Sequence, residues 1–312
     1  MKLVALAAAL LLVGSATRAG ADDSAVIRIA TIPIDQAAVV FYAQDEGFFE
    51  QAGLKVSITI LDSGPAIIGA IVGASADIGN SNSGSVAEAR ARGIHVRLVA
   101  PAGLHLSSVP VDLLMVSANS PIHSAIDLDG KTVAVNAIGA LPNIATKAWI
   151  AQNGGNLATV HFVELPFPAM GQALASGRVE AAEMTEPFIT SSKKATRVLA
   201  DAFDAIAPRF IVSGWVATDA WIAAHPGEAK RFQTAMRRAH AWANTHHAQT
   251  AAILARHTKI RPAVARAMTR VQFGSVLDSA LVQPVIATFA KFGGLSHPLP
   301  ATNIIWSPTA RP

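Results

Sequence analysis

The chain has no cysteine. Disulfides, thiolate metal sites, cysteine nucleophiles and a lipid-modified cysteine at a leader cleavage point are therefore excluded. Charge is scarce as well, at 15% of 312 residues, while 51% are hydrophobic. That composition excludes a disordered chain and leaves room for two lobes with buried cores. Beyond the N-terminus no run reaches about 18 uninterrupted apolar residues, so no later segment reads as a membrane span. Met1-Lys2, the apolar run from Leu3 to Val13, and Ala19-Gly20-Ala21 together have the form of a signal peptide, expected over residues 1–21 with cleavage after Ala21.

An excess of one sign is also missing. Cleavage would discard Lys2 and Arg18, leaving 23 basic against 21 acidic side chains. No Lys/Arg cluster is interleaved with aromatics, so no nucleic-acid partner is expected. The 10 histidines give no metal-binding spacing. His246 and His247 are helix neighbours that point apart, and His240 and His247 share a face too far apart for one ion, so neither metal nor cofactor is expected. Enzyme motifs fail in detail. Gly79-Asn80-Ser81-Asn82-Ser83 lacks the closing Gly of a nucleophile elbow, and Gly130-Lys131-Thr132 has Ala125 where a phosphate loop needs Gly.

What is present is one unit used twice. PAIIGAIVGASADIG, from Pro65, aligns without a gap with PAMGQALASGRVEAA, from Pro168, matching Pro65 with Pro168, Ala70 with Ala173 and Asp77 with Glu180. Each copy opens with Pro in a first helical turn, runs through a short Ala-rich helix and enters a strand near the acid. Past that strand the copies diverge into Asn80-Ser81-Asn82-Ser83 and Thr185-Glu186-Pro187. Ligands of open α/β sheets sit outside the carboxyl ends of the strands, so like frames with unlike loops suggest two lobes facing one ligand. An old duplication with ordinary loops is the alternative.

Val26 to Pro33 alternates as a strand and leads into the loop Ile34-Asp35-Gln36. A helix over AAVVFYAQDEGFFEQAG and a strand over Leu54 to Leu61 follow, then the capping sequence Asp62-Ser63-Gly64-Pro65. Val86 to Gly93 is expected as helix, His95 to Ala100 as strand, PAGLHLSSVP as loop, and Val111 to Val116 as a strand linking the lobes. Lys131 to Asn136 restarts the same order. Pro208 to Ala217 reads as the return crossing, and two linkers make a hinge. The remainder is helical, with Phe232, Met236 and Ala239 on one apolar face. The expected fold class is α/β, with lobe I formed by residues 22–112 and 214–312 and lobe II by residues 113–213.

YAQDEGFFEQAGL at Tyr42 to Leu54 and ADIG at Ala76 to Gly79 resemble the substrate-binding proteins of nitrate, sulfonate and taurine ABC importers, the SsuA/THI5-like or NMT1-like group. DLDGKTVAVN, ALASGRVEAA and EPF then follow in that family's order, so the resemblance covers essentially the mature chain. It implies a two-lobed periplasmic binding fold of the second type that closes over a small organic solute and delivers it to a membrane permease with its ATPase. A monomer in the periplasm, without catalysis, is implied too. By the same resemblance the pocket is lined by Asp35, Gln36, Ser63, Gly64, Asn80, Ser81, Asn82, Leu141, Asn143, Glu186 and Trp215. The loop TIPIDQAAVV departs from the Trp- and Tyr-rich pattern of pyrimidine-binding relatives, which weighs against a thiamin precursor.

The residues themselves leave alternatives open. Asn80 to Asn82 can hold a small polar group or close their own turn. Glu186 can accept from a ligand donor or cap the next helix; in the cleft it would disfavour an anionic solute. Trp215 can cover a ligand or sit in the core. A partner of a membrane sensor would look the same in sequence, and a secreted hydrolase is the remaining alternative.

Overall fold

The computed structural model describes residues 26–308; the expected signal peptide lies outside the described residues. In chain order the strands are β1 (Ile27–Thr31), β2 (Val56–Ile60), β3 (Ile78–Ser81), β4 (Val96–Pro101), β5 (Gly103–Leu106), β6 (Asp112–Ser117), β7 (Thr132–Val135), β8 (His161–Glu164), β9 (Ala181–Thr185), β10 (Thr196–Ala200), β11 (Arg209–Ile211), β12 (Gly214–Thr218) and β13 (Gln272–Phe273). The helices are α1 (Val39–Asp45), α2 (Phe48–Gln51), α3 (Gly64–Val72), α4 (Ser83–Ala91), α5 (Leu141–Gln152), α6 (Phe167–Ala175), α7 (Phe188–Ser192), α8 (Asp219–Ala224), α9 (Pro226–Ala243), α10 (His247–His257), α11 (Pro262–Ala267) and α12 (Ser279–Phe292).

Two five-stranded sheets form the lobes, in the orders β2-β1-β3-β12-β4 and β8-β7-β9-β6-β10. The orders correspond strand for strand. In each, the first three strands run parallel and the fourth is antiparallel to both neighbours. The sequence repeat is the heart of this likeness. Asp77 accepts the Arg28 N–H at 2.8 Å on its side chain, and Glu180 accepts the Thr132 N–H at 2.9 Å in the same way. Each acid thus ties two adjacent parallel strands, β1 to β3 in lobe I and β7 to β9 in lobe II.

The crossing differs from the sequence expectation. Val111 to Val116 is no linker: β6 lies inside the second sheet between β9 and β10, because Leu114, Met115 and Val116 bury on its two faces. The link is one strand earlier, where the expected loop PAGLHLSSVP contains β5. That strand pairs with β11 and β13 in a small third sheet. Pro208 to Ala217 likewise divides into β11, in the hinge sheet, and β12, in lobe I. At the break, Gly214 permits close approach: a Cβ there would stand 2.8 Å from the Ala100 carbonyl oxygen. β10 was not expected from the sequence.

The lobe I core alternates along its strands, with Ile29 facing one apolar cluster and Ala30 the other. On the outer face Phe232 of α9 stacks on Phe49 of α2 and meets Trp215 edge to face, with ring centroids 5.8 Å apart in both pairs. Each such fully buried aromatic contributes roughly 1.5–3 kcal/mol by burial. Helix α12 packs against α4 of lobe I and α5 of lobe II. No described helix is long and apolar enough to cross a membrane.

Candidate functional site

A cavity lies between the lobes at the carboxyl ends of the parallel strands. Lobe I supplies Ile32, Ile34 and Gln36 after β1, Gly64 at the start of α3, and Asn80, Ser81 and Asn82 where β3 ends. Lobe II supplies Asp112 at the start of β6, Asn136 after β7, Ala140, Leu141 and Pro142 at α5, and Phe167 at α6. Phe203, Val212 and Ser213 close it at the hinge side. Local sequence explains the walls. Ser63 caps α3 by accepting the Ala66 N–H, and Asn82 caps α4 by accepting the Ser85 N–H at 2.9 Å, so both helices begin at the cleft. Pro65, Pro142 and Pro168 sit in the first turns of α3, α5 and α6.

The lobes are closed. Gln36 donates its side-chain amide to the Asp112 carboxylate, and the Asp35 N–H donates to the Glu186 carbonyl at 3.3 Å. The cavity between them measures ≈ 50 Å³, room for about four waters. Within its walls Asn80 Oδ1, Ser81 Oγ and Asn136 Oδ1 are buried without a hydrogen-bond partner. An unsatisfied buried polar atom costs about 1–3 kcal/mol, so three facing one space mark a place built to be filled.

Asp112 is the one titratable side chain among the lining residues. Burial, and then the negative charges of Asp201 and Glu186, push its pKa up to about 7. Behind it, Glu183 of β9 is fully buried with Oε1 unpartnered. Burial, then Asp112 and Asp201, hold it well above the usual carboxylate range. Burial raises Glu186 and Asp201 as well.

Of the residues expected to line a pocket, Gln36, Gly64, Asn80, Ser81, Asn82 and Leu141 stand at the cavity. The others have different surroundings. Asp35 is fully buried and accepts from Arg270 Nη2 at 2.7 Å, Arg270 Nε at 3.1 Å and the Val271 N–H at 2.9 Å, so its oxygens are occupied. Ser63 is spent on its cap. Asn143 accepts the Gly139 N–H at 3.0 Å, inside α5. Glu186 takes the capping alternative, accepting the Thr190 hydroxyl at 2.8 Å and its N–H at 3.1 Å. Its peptide bond to Pro187 is cis. Trp215 points to the outer core because the alternation of β12 turns it away from the cleft.

Sequence reasoning missed Asp112, Asn136, Phe167, Phe203 and Ser213. The repeat held the signal. Carried through strand pairing, it superposes Ile32 on Asn136, Gly64 on Phe167 and Ser213 on Asp112, and all six line the cavity. Among the described residues, His105, Asp201 and Asp204 have donor atoms within 4.8 Å of one another and could hold a metal ion. There His105 Nε2 lies 2.8 Å from Asp204 Oδ1, tying β5 to lobe II.

Two α/β lobes joined through paired strands, with a cavity at the strand ends between them, define the periplasmic binding protein fold. The chain belongs to the NMT1/THI5-like family, whose model matches residues 35–250. No curated protein matches it in sequence. Similar solved structures include the alkanesulfonate-binding protein SsuA of Xanthomonas axonopodis pv. citri bound to MOPS, with TM-score 0.76 and 17% identity over 90% of this chain and 98% of that one. The ligand-binding component of an ABC-type import system of Staphylococcus aureus, with zinc bound, gives TM-score 0.76 and 16% identity over 90% and 96%. The periplasmic nitrate-binding protein NrtA of Synechocystis PCC 6803 gives 0.67 and 14% over 78% and 69%.

Proposed function

We propose that this chain is the solute-binding component of an ABC-type importer, exported to the periplasm as a monomer after loss of residues 1–21. The two lobes move about β5 and β11; the divisions expected from the sequence, after residue 112 and after residue 213, shift by one residue, so that Asp112 goes with β6 in lobe II and Ser213 with β12 in lobe I. Closure traps a small organic solute, and a permease with its ATPase receives the closed form. The observation that carries this reading is the set of unpartnered Asn80, Ser81 and Asn136 oxygens on facing walls of one closed cavity. The names borne by proteins of the same fold support it.

The test is native mass spectrometry of gently purified protein, together with small-angle scattering before and after removal of small molecules. A stoichiometric adduct, and a radius of gyration that rises when it is removed, are expected. A protein that neither carries nor closes on any solute, across a panel of sulfonates, carboxylates, amines and heterocycles, would overturn the reading.

A further inference from the structure

The cavity is electrically one-sided. Asp112 opens β6, and the equivalent position before β12 in lobe I is Ser213, which lines the same space. A neutral side chain therefore serves that backbone position in one lobe, and the frame does not require a carboxylate in the other. Burying an acid is costly unless something compensates it. Thr185 and Gln36 offer hydrogen bonds, but no lining side chain is cationic. The titratable groups around Asp112 supply no balancing cation: Glu183 on β9, Glu186 after it and Asp201 after β10 are all acids. Arg270 is already committed to Asp35 and Tyr42, and His105 to Asp204.

Helix N-termini at the cleft pull the other way, since each favours a negative group with about half an elementary charge. Their reach is limited here. Ser63 and Asn82 already accept first-turn N–H groups of α3 and α4, while Pro65, Pro142 and Pro168 remove one donor each from α3, α5 and α6. A side-chain amide can turn either edge to a ligand and a hydroxyl can donate or accept, so Asn80, Asn136 and Ser81 follow the solute. The ionised carboxylate only accepts, and it sets the sign.

Resting on the receptor reading above, we propose that the solute carries a protonated nitrogen, an ammonium or amidinium, which pairs with the Asp112 carboxylate inside the closed cleft. The remaining N–H donors meet the unpartnered oxygens of Asn80, Ser81 and Asn136, and the carbon body rests on Ile32, Leu141 and Phe167. A zwitterion fits as a simple cation does, its anionic end lying toward the helix N-termini. A plain anion is disfavoured by this acid in the wall.

The experiment is calorimetric titration of the mature protein with matched pairs that differ by the amine: taurine and ethanesulfonate, 4-aminobutyrate and butyrate, butylammonium and butanol. The amine member of at least one pair is expected to bind at least tenfold more tightly than its partner. In Asp112→Asn that preference disappears. In the unaltered protein, affinity for the amine rises about tenfold from pH 6 to pH 8 as the carboxylate ionises, which needs no variant. Preference for butylammonium over the zwitterions distinguishes a simple cation from a zwitterion, and either supports the proposal. An equal or tighter anion, an amine preference that survives in Asp112→Asn, or binding of another solute class with none of the six amines and partners, overturns it while the receptor reading stands. Failure of every solute to bind or close the lobes overturns both.

Discussion

Gln36 of lobe I donates its side-chain amide to the Asp112 carboxylate of lobe II, a buried bond across the cleft beside the hinge. A hydrogen bond to a charged group contributes about 1.5–3 kcal/mol, enough to shift a two-state equilibrium by one to two orders of magnitude. Gln36→Ala is therefore expected to move the solute-free protein toward an open form while its fold is retained. Scattering or a pair of fluorophores, one on each lobe, measures this. An unchanged distance distribution would show that the bond does not hold the lobes shut.

Stability should depend on pH through the buried acids. With its folded pKa raised from 3.8 to about 7, Asp112 keeps a proton that the unfolded chain releases. Its contribution is therefore fullest below pH 3.8 and is lost as pH rises toward 7. Asp112→Asn should stabilise the protein at pH 8 relative to its effect at pH 4, by on the order of a few kcal/mol. Urea unfolding at the two pH values reads the difference. His240 works in the opposite direction: burial lowers its pKa from 6.5 to about 3, so its contribution is present above pH 6.5 and lost as pH falls toward 3.

Arg270 and Asp35 form a buried ion pair at 2.7 Å that pins the loop after β1 to the segment before β13. Removing one member leaves an uncompensated charge, so Arg270→Ala should cost about 3–5 kcal/mol. The double variant Asp35→Leu with Arg270→Met should recover much of that loss in denaturant titrations. Additive losses would mean that the pair is not coupled.

At Gly84 in α4, a Cβ would stand 2.2 Å from the Phe289 ring of α12. Gly84→Ala is expected to destabilise by about 1–3 kcal/mol through overpacking. Gly69, in α3, has open space around its absent Cβ. There the same substitution should stabilise by about 0.5–1 kcal/mol. Melting temperatures of the two variants should therefore move in opposite directions.

The repeat made the lobes legible because it sits in the contiguous helix-strand unit that each sheet is built around. Asp77 and Glu180 keep equivalent backbone bonds despite their different lengths. Residues whose surroundings come from far along the chain were harder to read. Asp35 sits in a loop of pocket type, but its cation lies 235 positions away, and sequence order carries no hint of that pairing. Trp215 faces the core because β12 inserts between β3 and β4, a strand order that propensity does not encode. In the sequence alone Asp112 falls in a stretch that reads as a linking strand. Its counterpart Ser213 emerges only when the antiparallel strands of the two sheets are compared.

The same insertion bears on how the protein is made. All five strands of the second sheet lie in one stretch, from Asp112 to Ala200, whereas the first sheet needs Gly214–Thr218 between β3 and β4. A ribosome therefore delivers every strand of the second lobe before the first lobe can close its sheet. Until then the facing edges of β3 and β4 have no neighbour, and a nascent chain in that state presents the unpaired backbone that a holding chaperone has to cover.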